Sequence, residues 1–217
     1  MISPDRADNF EASARTDVCI IGAGPAGLMT AISAAREGAS TILLEANAQS
    51  GCKLLITGGG RCNFTHAGDA NNLIRAFGKA GRFLRHAFHE VQPQDIVEFF
   101  RSRGIESTVE PDGSIFPATL AAVNIREVLL RESANLGVRL LAGNKVTRVA
   151  VDDAGFSIST THQTVLTRRL IIATGGVSWP QTGSTGDGYR FAEAMGHTVT
   201  PPRACLVPLV TAESWPR

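Results

Sequence analysis

Three glycines near the N-terminus are spaced as Gly22-x-Gly24-x-x-Gly27, and Glu45 follows 18 residues after the last of them. Glycines at this spacing let a tight turn bring backbone amides onto a pyrophosphate, and an acidic side chain about 20 residues later accepts hydrogen bonds from a ribose. A carboxylate there also repels a 2′-phosphate, which favours an adenosine with a free 2′-hydroxyl, as in FAD or NAD, over NADP. The pattern predicts a dinucleotide site.

The elements around the glycines are those that such a site requires. Residues 17–21 form a short apolar, β-branched run that predicts a strand, and the residues after the turn continue at helical spacing to Gly38. Residues 40–45 predict a second strand, so the first 45 residues make one βαβ unit with parallel strands. The motif therefore follows a strand and opens a helix, which argues against a chance glycine turn.

The rest of the chain predicts further elements around this unit. Three stretches have helical character: 72–90, 93–103 and 119–136. Short strand-like pieces between residues 138 and 169 predict a small antiparallel β-meander, which precedes a strand at 170–176. The predicted fold class is α/β, a Rossmann-like parallel sheet with helices and that meander.

Composition excludes several classes of protein. The 217 residues carry a formal net charge of +1, with 43% hydrophobic and 19% charged residues, which excludes a disordered chain and one that coats nucleic acid by charge. Four scattered cysteines suit the reducing cytoplasm. The uncharged run 18–35 contains the glycine turn, which favours a βα unit over a membrane span. Neither histidines nor cysteines have the spacing of a metal site, so we expect none.

A second glycine-rich stretch, 51–66, contains three consecutive glycines, Gly58–Gly60. Such a run is poor in a helix or strand interior, so it predicts a loop whose backbone approaches a ligand closely; the alternative is a plain flexible loop. Cys52 and Cys62 lie in the same stretch, but their separation is unlike that of redox dithiols. We predict that Cys19 and Cys205 are small buried side chains.

Longer motifs carry a resemblance to known flavoproteins. The GAGPAG turn, the meander and the return strand ending ATGG look like the two-dinucleotide-fold flavoproteins of the glutathione-reductase superclass. More narrowly, GCKLLITGGGRCNFTH at 51–66, DGSIFP at 112–117 and ATGGVSWPQTGSTGDGYRFAEAMGH at 173–197 resemble the BaiN/RdsA-like bacterial flavoprotein family. That family includes aminoacetone oxidases and bile-acid dehydroreductases. The resemblance covers residues 16–210.

The resemblance implies an FAD-dependent oxidoreductase that passes hydride or electrons through FAD, with NAD(P)H as an electron donor in the full-length protein and a small molecule as substrate. It places the pyrophosphate on the first glycine turn, the adenosine ribose on Glu45 and Ala46, the adenine on the backbone of Val146, and the flavin side of the cofactor on a basic and glycine-rich loop. The implied cofactor residues are Gly22, Ala23, Gly24, Pro25, Ala26, Gly27, Glu45, Ala46, Lys53, Gly60, Arg61, Cys62, Asn63, Val146, Thr174, Gly175 and Gly176.

Members of this family are longer than the present chain. The acidic residues that precede the first apolar run predict a flexible leader at 1–15. The resemblance implies an FAD-binding domain at 16–210 and the start of the next region at 211–217, with an inserted substrate domain and a C-terminal return segment beyond them. It names no catalytic residue, no substrate and no oligomeric state.

Two other functions stay open from the sequence. One is a dinucleotide-binding remnant without turnover. The other is a flavoprotein that modifies nucleic acid, suggested by a basic stripe on the predicted helix 72–90: Arg75, Lys79, Arg82 and His86. A solvated helix face is the preferred explanation of this stripe, so the sequence assigns it no role. Farther along the chain, Asp187 is expected to cap a helix, and Trp179 to pack against the flavin or a neighbouring domain.

Overall fold

A computed structural model describes residues 14–204 of the chain. Cys205, the segment 211–217 and most of the predicted leader lie outside this range. The last two leader residues, Ala14 and Arg15, belong to the first strand, which begins earlier than predicted.

Nine strands and seven α-helices follow one another along the described residues, with three short 3-10 helices at Thr57–Gly60, Gly78–Ala80 and Pro180–Thr182. The strands are β1 (Ala14–Ile21), β2 (Thr41–Leu44), β3 (Thr65–His66), β4 (Ser107–Val109), β5 (Ser114–Pro117), β6 (Arg139–Leu141), β7 (Val146–Asp152), β8 (Gly155–Thr160) and β9 (Thr164–Ile172). The helices are α1 (Pro25–Arg36), α2 (Cys52–Ile56), α3 (Ala70–Ala76), α4 (Gly81–Glu90), α5 (Pro93–Arg101), α6 (Ala122–Asn135) and α7 (Asp187–Ala194).

The main sheet has the strand order β6-β2-β1-β9-β8-β7. The strands β6, β2, β1 and β9 are parallel, and β7 and β8 continue from β9 as an antiparallel meander. This confirms the predicted α/β fold, the parallel β1–β2 pair and the meander. Two details of the prediction were wrong. The piece at 138–143 supplies the parallel edge strand β6. The piece at 164–169 continues into the predicted strand 170–176 as one strand, β9, which ends at Ile172 and leaves residues 173–176 as a loop.

Residues 18–21 of β1 and all of β2 are buried on both faces of the sheet. Since side chains alternate between the two faces of a strand, these residues contribute to two separate cores. In β1, Val18 and Ile20 join a core that also contains side chains of α1 and α6, whereas Cys19 and Ile21 face a second core with side chains of β7, β8 and α7. Cys19 is fully buried, as predicted. Burial raises the pKa of its thiol to about 12, so it is inert at neutral pH.

A three-stranded antiparallel sheet, in the order β3-β5-β4, lies outside the main sheet. The helix predicted at 72–90 is interrupted between α3 and α4, because Gly78 adopts a left-handed conformation at φ +55°. In contrast, α6 ends at Asn135 and is closed by Gly137 as predicted: this glycine has φ +76° and its amide donates to Ala134 O at 3.0 Å.

An ion-pair cluster joins α6 to the α1 end and to the turn after α5. Glu132 of α6 accepts hydrogen bonds from both Arg36 and Arg103, and Arg103 also stacks on the ring of Phe99. The bond from Arg103 is the strongest influence that lowers the pKa of Glu132, to about 2, and the bond from Arg36 adds to it against the opposing effect of burial.

No helix within residues 14–204 is long and apolar enough to cross a membrane.

Candidate dinucleotide-binding site

The glycine turn between β1 and α1 uses each of its three glycines for a different reason. A Cβ on Gly22 would lie 2.5 Å from the carbonyl oxygen of Ala173, and this residue has φ +103°. A Cβ on Gly27 would lie 1.9 Å from Gly22 O, so helix and turn pack backbone to backbone. A Cβ on Gly24 would meet nothing within 4 Å. Only Gly24 therefore leaves open space that a ligand can fill.

The start of α1 supplies donors to that space. Gly24 is the N-cap residue and Pro25 occupies the first helical turn, where its missing N–H costs nothing. The first amides of a helix have no partner within the helix and carry the positive end of its dipole. Here the cap makes no side-chain hydrogen bond. These features together suit an anion such as a pyrophosphate.

Glu45 follows β2 directly and is 8% exposed. Its Oε2 accepts a hydrogen bond from the amide of Ala23 at 2.9 Å, and its Oε1 accepts one from the amide of Asn47 at 2.8 Å. The carboxylate therefore ties the glycine turn to the loop after β2. Each oxygen keeps a second lone pair for a ligand hydroxyl.

The residues after β9 form the third side of the site, beside the start of α1 and Glu45. The amide of Ala173 donates to Ile21 O at 2.8 Å, which holds the ATGG return against the glycine turn. Parallel strands place their carboxyl ends at one edge of a sheet, and ligands of such folds bind in the crevice outside that edge.

A cavity of about 300 Å³ lies where these segments meet. Most of the predicted cofactor residues line it: Gly22, Gly24, Pro25, Ala26, Glu45, Ala46, Lys53, Val146, Thr174 and Gly175. Ala23, Gly27 and Gly176 adjoin these residues in the chain but do not line the cavity. The sequence thus predicted the glycine turn, the glutamate and the return strand as parts of one site, and the fold places them together.

The segment Gly60–Asn63 is not part of the cavity lining. The Arg61 guanidinium forms an ion pair with Glu110 at 2.6 Å and lies over the ring of Phe116, 4.3 Å from its centroid. Cys62 is buried, and burial raises the pKa of its thiol to about 11. The contact of this segment with a cofactor stays a prediction.

Both cysteines of the glycine-rich stretch are free thiols. Cys52 is half-buried and its Sγ donates to Gln49 O at 3.1 Å, while Cys62 belongs to the core beneath α1. No cluster of three or more His, Cys, Asp or Glu side chains suited to a metal ion occurs among residues 14–204.

Several residues that the sequence did not single out also line the cavity: Asn47, Asn144, Lys145 and the stretch 182–185. The signal for the last stretch was the TGSTGDGY motif, which reads as a turn rich in glycine and hydroxyl groups. Asn47 follows Glu45 by two residues, and no sequence motif marks it. Its role is visible only in the structure, where its side chain donates a hydrogen bond to Thr182 O at 3.2 Å.

Asp187 lines the cavity at the start of α7, where Gly186, and not Asp187 as expected, is the N-cap residue. Its carboxylate accepts from Arg190 at 3.0 Å and from Thr185 Oγ1 at 2.9 Å. Burial alone would raise the pKa of Asp187, but these two hydrogen bonds outweigh it and lower the pKa below its usual value. The side chain of Trp179 is 59% exposed. Its packing against the flavin or a neighbouring domain therefore stays a prediction.

The basic stripe lies on the exposed side of the α3–α4 hairpin, whose surface also includes Phe77 and Phe83 at 52% and 90% exposure. This hairpin does not contribute to the cavity lining.

Comparisons with known proteins agree with this architecture. The model of the HI0933-like protein Rossmann domain matches residues 16–211. The chain is 33% identical over 194 residues to a ribosomal RNA dihydrouridine synthase of Escherichia coli K12, which covers 89% of this chain and 48% of the E. coli protein. It is 34% identical over 192 residues to a 3-dehydro-bile acid delta(4,6)-reductase of Clostridium scindens, and this match covers 88% of this chain and 46% of the C. scindens protein. The chain thus spans about half the length of these curated relatives.

Among solved structures, the open conformation of a flavocytochrome c3 fumarate reductase superposes with a TM-score of 0.68 at 20% identity, over 87% of this chain and 42% of the reductase. That likeness concerns the fold.

Proposed function

The chain belongs to the HI0933-like family of Rossmann-domain proteins, and we propose that it is the FAD-binding part of a flavin-dependent oxidoreductase. One observation carries the proposal: Gly24 opens onto a cavity bounded by the start of α1, Glu45 and the ATGG return. That is the arrangement in which a Rossmann fold holds a dinucleotide.

The residues present fit FAD in charge and shape. The amides after Gly24 suit the pyrophosphate, and the space that a Cβ would occupy leaves room for it. Glu45 suits the ribose hydroxyls through the lone pairs that Ala23 and Asn47 leave free, and its charge disfavours a 2′-phosphate. The backbone at Val146 and at Thr174–Gly175 suits the remaining polar edges of the cofactor.

FAD bound here would supply the hydride and electron transfer, and the protein would bind it, orient it and exclude water. The substrate of the primary proposal is a small molecule, with NAD(P)H as the electron donor. The domain bounds are also part of the proposal: residues 16–210 form the FAD-binding domain, and the half of the relatives' length that this chain does not match supplies most of the substrate site.

The test is the visible spectrum of the purified chain and of the full-length protein after incubation with FAD and desalting. We expect retained flavin bands and a raised thermal midpoint, because a ligand that binds only the folded state stabilises it. Reduction of the bound flavin by NADH or NADPH tests the donor. A full-length protein that retains no flavin would refute the proposal, while one that retains a flavin no donor can reduce would support the non-catalytic alternative.

A second candidate is a flavoenzyme that acts on RNA. It is favoured by the E. coli relative, a ribosomal RNA dihydrouridine synthase, together with the exposed basic hairpin, which carries Arg75, Lys79, Arg82 and Arg85 beside exposed phenylalanines. Arginine and lysine side chains neutralise phosphates, and such binding weakens steeply with salt.

This candidate predicts that the full-length protein binds a ribosomal RNA fragment with salt-dependent affinity, and that the Arg82→Glu, Arg85→Glu double variant loses about tenfold in affinity. Charge reversal at Arg139 and Arg148, on the edge strands β6 and β7, is the matched control. Equal loss in both double variants, or binding insensitive to salt, would refute this RNA candidate.

A further inference from the structure

Two side chains reach from one wall of the cavity to a single loop that forms another. This loop, residues 175–185 and here called the strap, connects β9 to α7, and its residues Gly175 and 182–185 line the cavity. Lys53 Nζ donates to the carbonyl oxygen of Ser178 at 2.7 Å. Asn47 Nδ2 donates to the carbonyl oxygen of Thr182 at 3.2 Å.

The middle of the strap depends on these two bonds. Within residues 14–204, no other hydrogen bond joins residues 176–183 to a residue outside the strap, and the remaining bonds of this stretch stay within the strap, such as Thr182 N to Trp179 O at 2.9 Å and Thr185 N to Gly183 O at 3.1 Å. Val177 and Trp179 are 51% and 59% exposed, so little apolar burial anchors them.

The backbone of the strap is suited to movement at its ends. Gly175 and Gly183 have φ values of +76° and +93°, in a region that glycine enters and leaves without steric penalty. At Gly183 a Cβ would come within 2.5 Å of Asn47 Nδ2, so the strap rests directly on the asparagine that binds it.

We propose that Asn47 and Lys53 are positioning residues that hold the strap across the cavity, and that they thereby set the rates at which FAD enters and leaves. The inference rests on the proposed function, because FAD is the ligand whose passage the strap would obstruct. Lys53 thus acts through a backbone carbonyl of the strap as well as through its charge.

The proposal makes a kinetic distinction. A closed strap obstructs passage in both directions, so its release accelerates both association and dissociation. A side chain that binds FAD directly stabilises only the complex, so its loss accelerates dissociation alone. The ratio of the two effects therefore separates a positioning residue from a direct ligand.

The first experiment measures hydrogen exchange of the strap amides without cofactor, in Asn47→Leu and Lys53→Met, which keep side-chain bulk and remove the donor. We expect exchange about fivefold faster in Asn47→Leu and about tenfold faster in Lys53→Met, because a charged donor makes the stronger bond. Asn135→Leu and Lys79→Met, at exposed sites that do not line the cavity, are the matched controls. Lys53→Arg, which keeps a cationic donor, should restore slow exchange. Strap amides that exchange as in the wild type would overturn the proposal.

The second experiment follows FAD fluorescence by stopped flow on mixing with FAD and on displacement. Both rate constants should rise by similar factors in Asn47→Leu, with little change in Kd. Faster dissociation at an unchanged association rate would make Asn47 a direct ligand and overturn the positioning role. A wild-type protein that takes up no FAD would refute both the proposed function and the claim that the strap sets the rates of FAD association and dissociation. The hydrogen-exchange experiment would still decide whether Asn47 and Lys53 hold the strap.

Discussion

Replacing Gly24 and Gly27 separately by alanine should divide cofactor binding from folding, although the two glycines are three residues apart in one motif. At Gly24 the backbone has φ −76° and ψ −178°, which any residue adopts, and the added Cβ meets nothing within 4 Å. We therefore expect Gly24→Ala to change the free energy of unfolding by no more than about 0.5 kcal/mol.

The same methyl group at Gly24 should weaken FAD binding strongly. It would occupy the space through which a pyrophosphate approaches the amides at the start of α1. Loss of one or two charge-assisted hydrogen bonds costs about 3 kcal/mol, which is about 150-fold in Kd. Gly24→Val, with two more carbons in the same space, should abolish FAD retention and leave the secondary structure in place.

At Gly27 we expect the opposite result, a loss of stability caused by the added Cβ. The added Cβ would lie 1.9 Å from Gly22 O, whereas a normal carbon–oxygen contact is about 3.3 Å, so backbone must move against backbone by more than 1 Å. Such overpacking costs about 3 kcal/mol, or about 6–12 °C in Tm for a chain of this size.

Two measurements check the pair: thermal unfolding without cofactor, and titration with FAD followed by flavin fluorescence. If Gly24→Ala binds FAD within threefold of the wild type, the pyrophosphate does not lie at Gly24 and the placement of the cofactor is wrong. If Gly27→Ala unfolds at the wild-type temperature, close packing is not the reason for that glycine.

Three further predictions concern ionisable and thiol groups. Glu45→Ala leaves one buried and one partly buried backbone amide without an acceptor, so it should lower the unfolding free energy by about 2 kcal/mol even without FAD; a loss of FAD affinity alone would mean that the carboxylate serves only the ligand. Glu132→Gln should destabilise the protein by about 2 kcal/mol at pH 7. Because the folded-state pKa of Glu132 is lowered to about 2, the stability it contributes is complete above its ordinary value of 4.5 and is lost as the pH falls toward 2, so denaturant curves of variant and wild type should converge in that window. Finally, mass-mapped alkylation at pH 8 should label Cys52 well before Cys62, whose buried thiol has its pKa raised to about 11; rapid labelling of both would contradict the burial of Cys62.

The glycine turn could be predicted from the sequence because its requirements are local. A strand, a tight turn and a helix start are encoded by apolar runs and by glycine spacing within some 30 residues, and the acidic residue at the end of β2 completes the pattern. The meander was likewise visible in short alternating segments. The edge strand β6 was assigned wrongly because its three residues carry no sign of which neighbour they pair with.

The interruption between α3 and α4 shows a different limit. The apolar spacing of residues 72–90 suits one helix, although the stretch contains Gly78, a poor helix former. Its left-handed backbone, which permits the chain to turn between the two helices, depends on how α3 and α4 pack against each other.

By itself the sequence determined the fold class, the dinucleotide motif and the pairing of that motif with Glu45, since each depends on residues close in the chain or on the alternation of apolar side chains. Only the tertiary structure decided what individual polar side chains bind. Lys53 contacts a carbonyl 125 residues away, Asn47 one 135 residues away, and Arg61 pairs with Glu110 instead of lining the cavity. Long polar side chains reach whichever partner the packed elements bring near, and that choice is made by the arrangement of strands and loops in space.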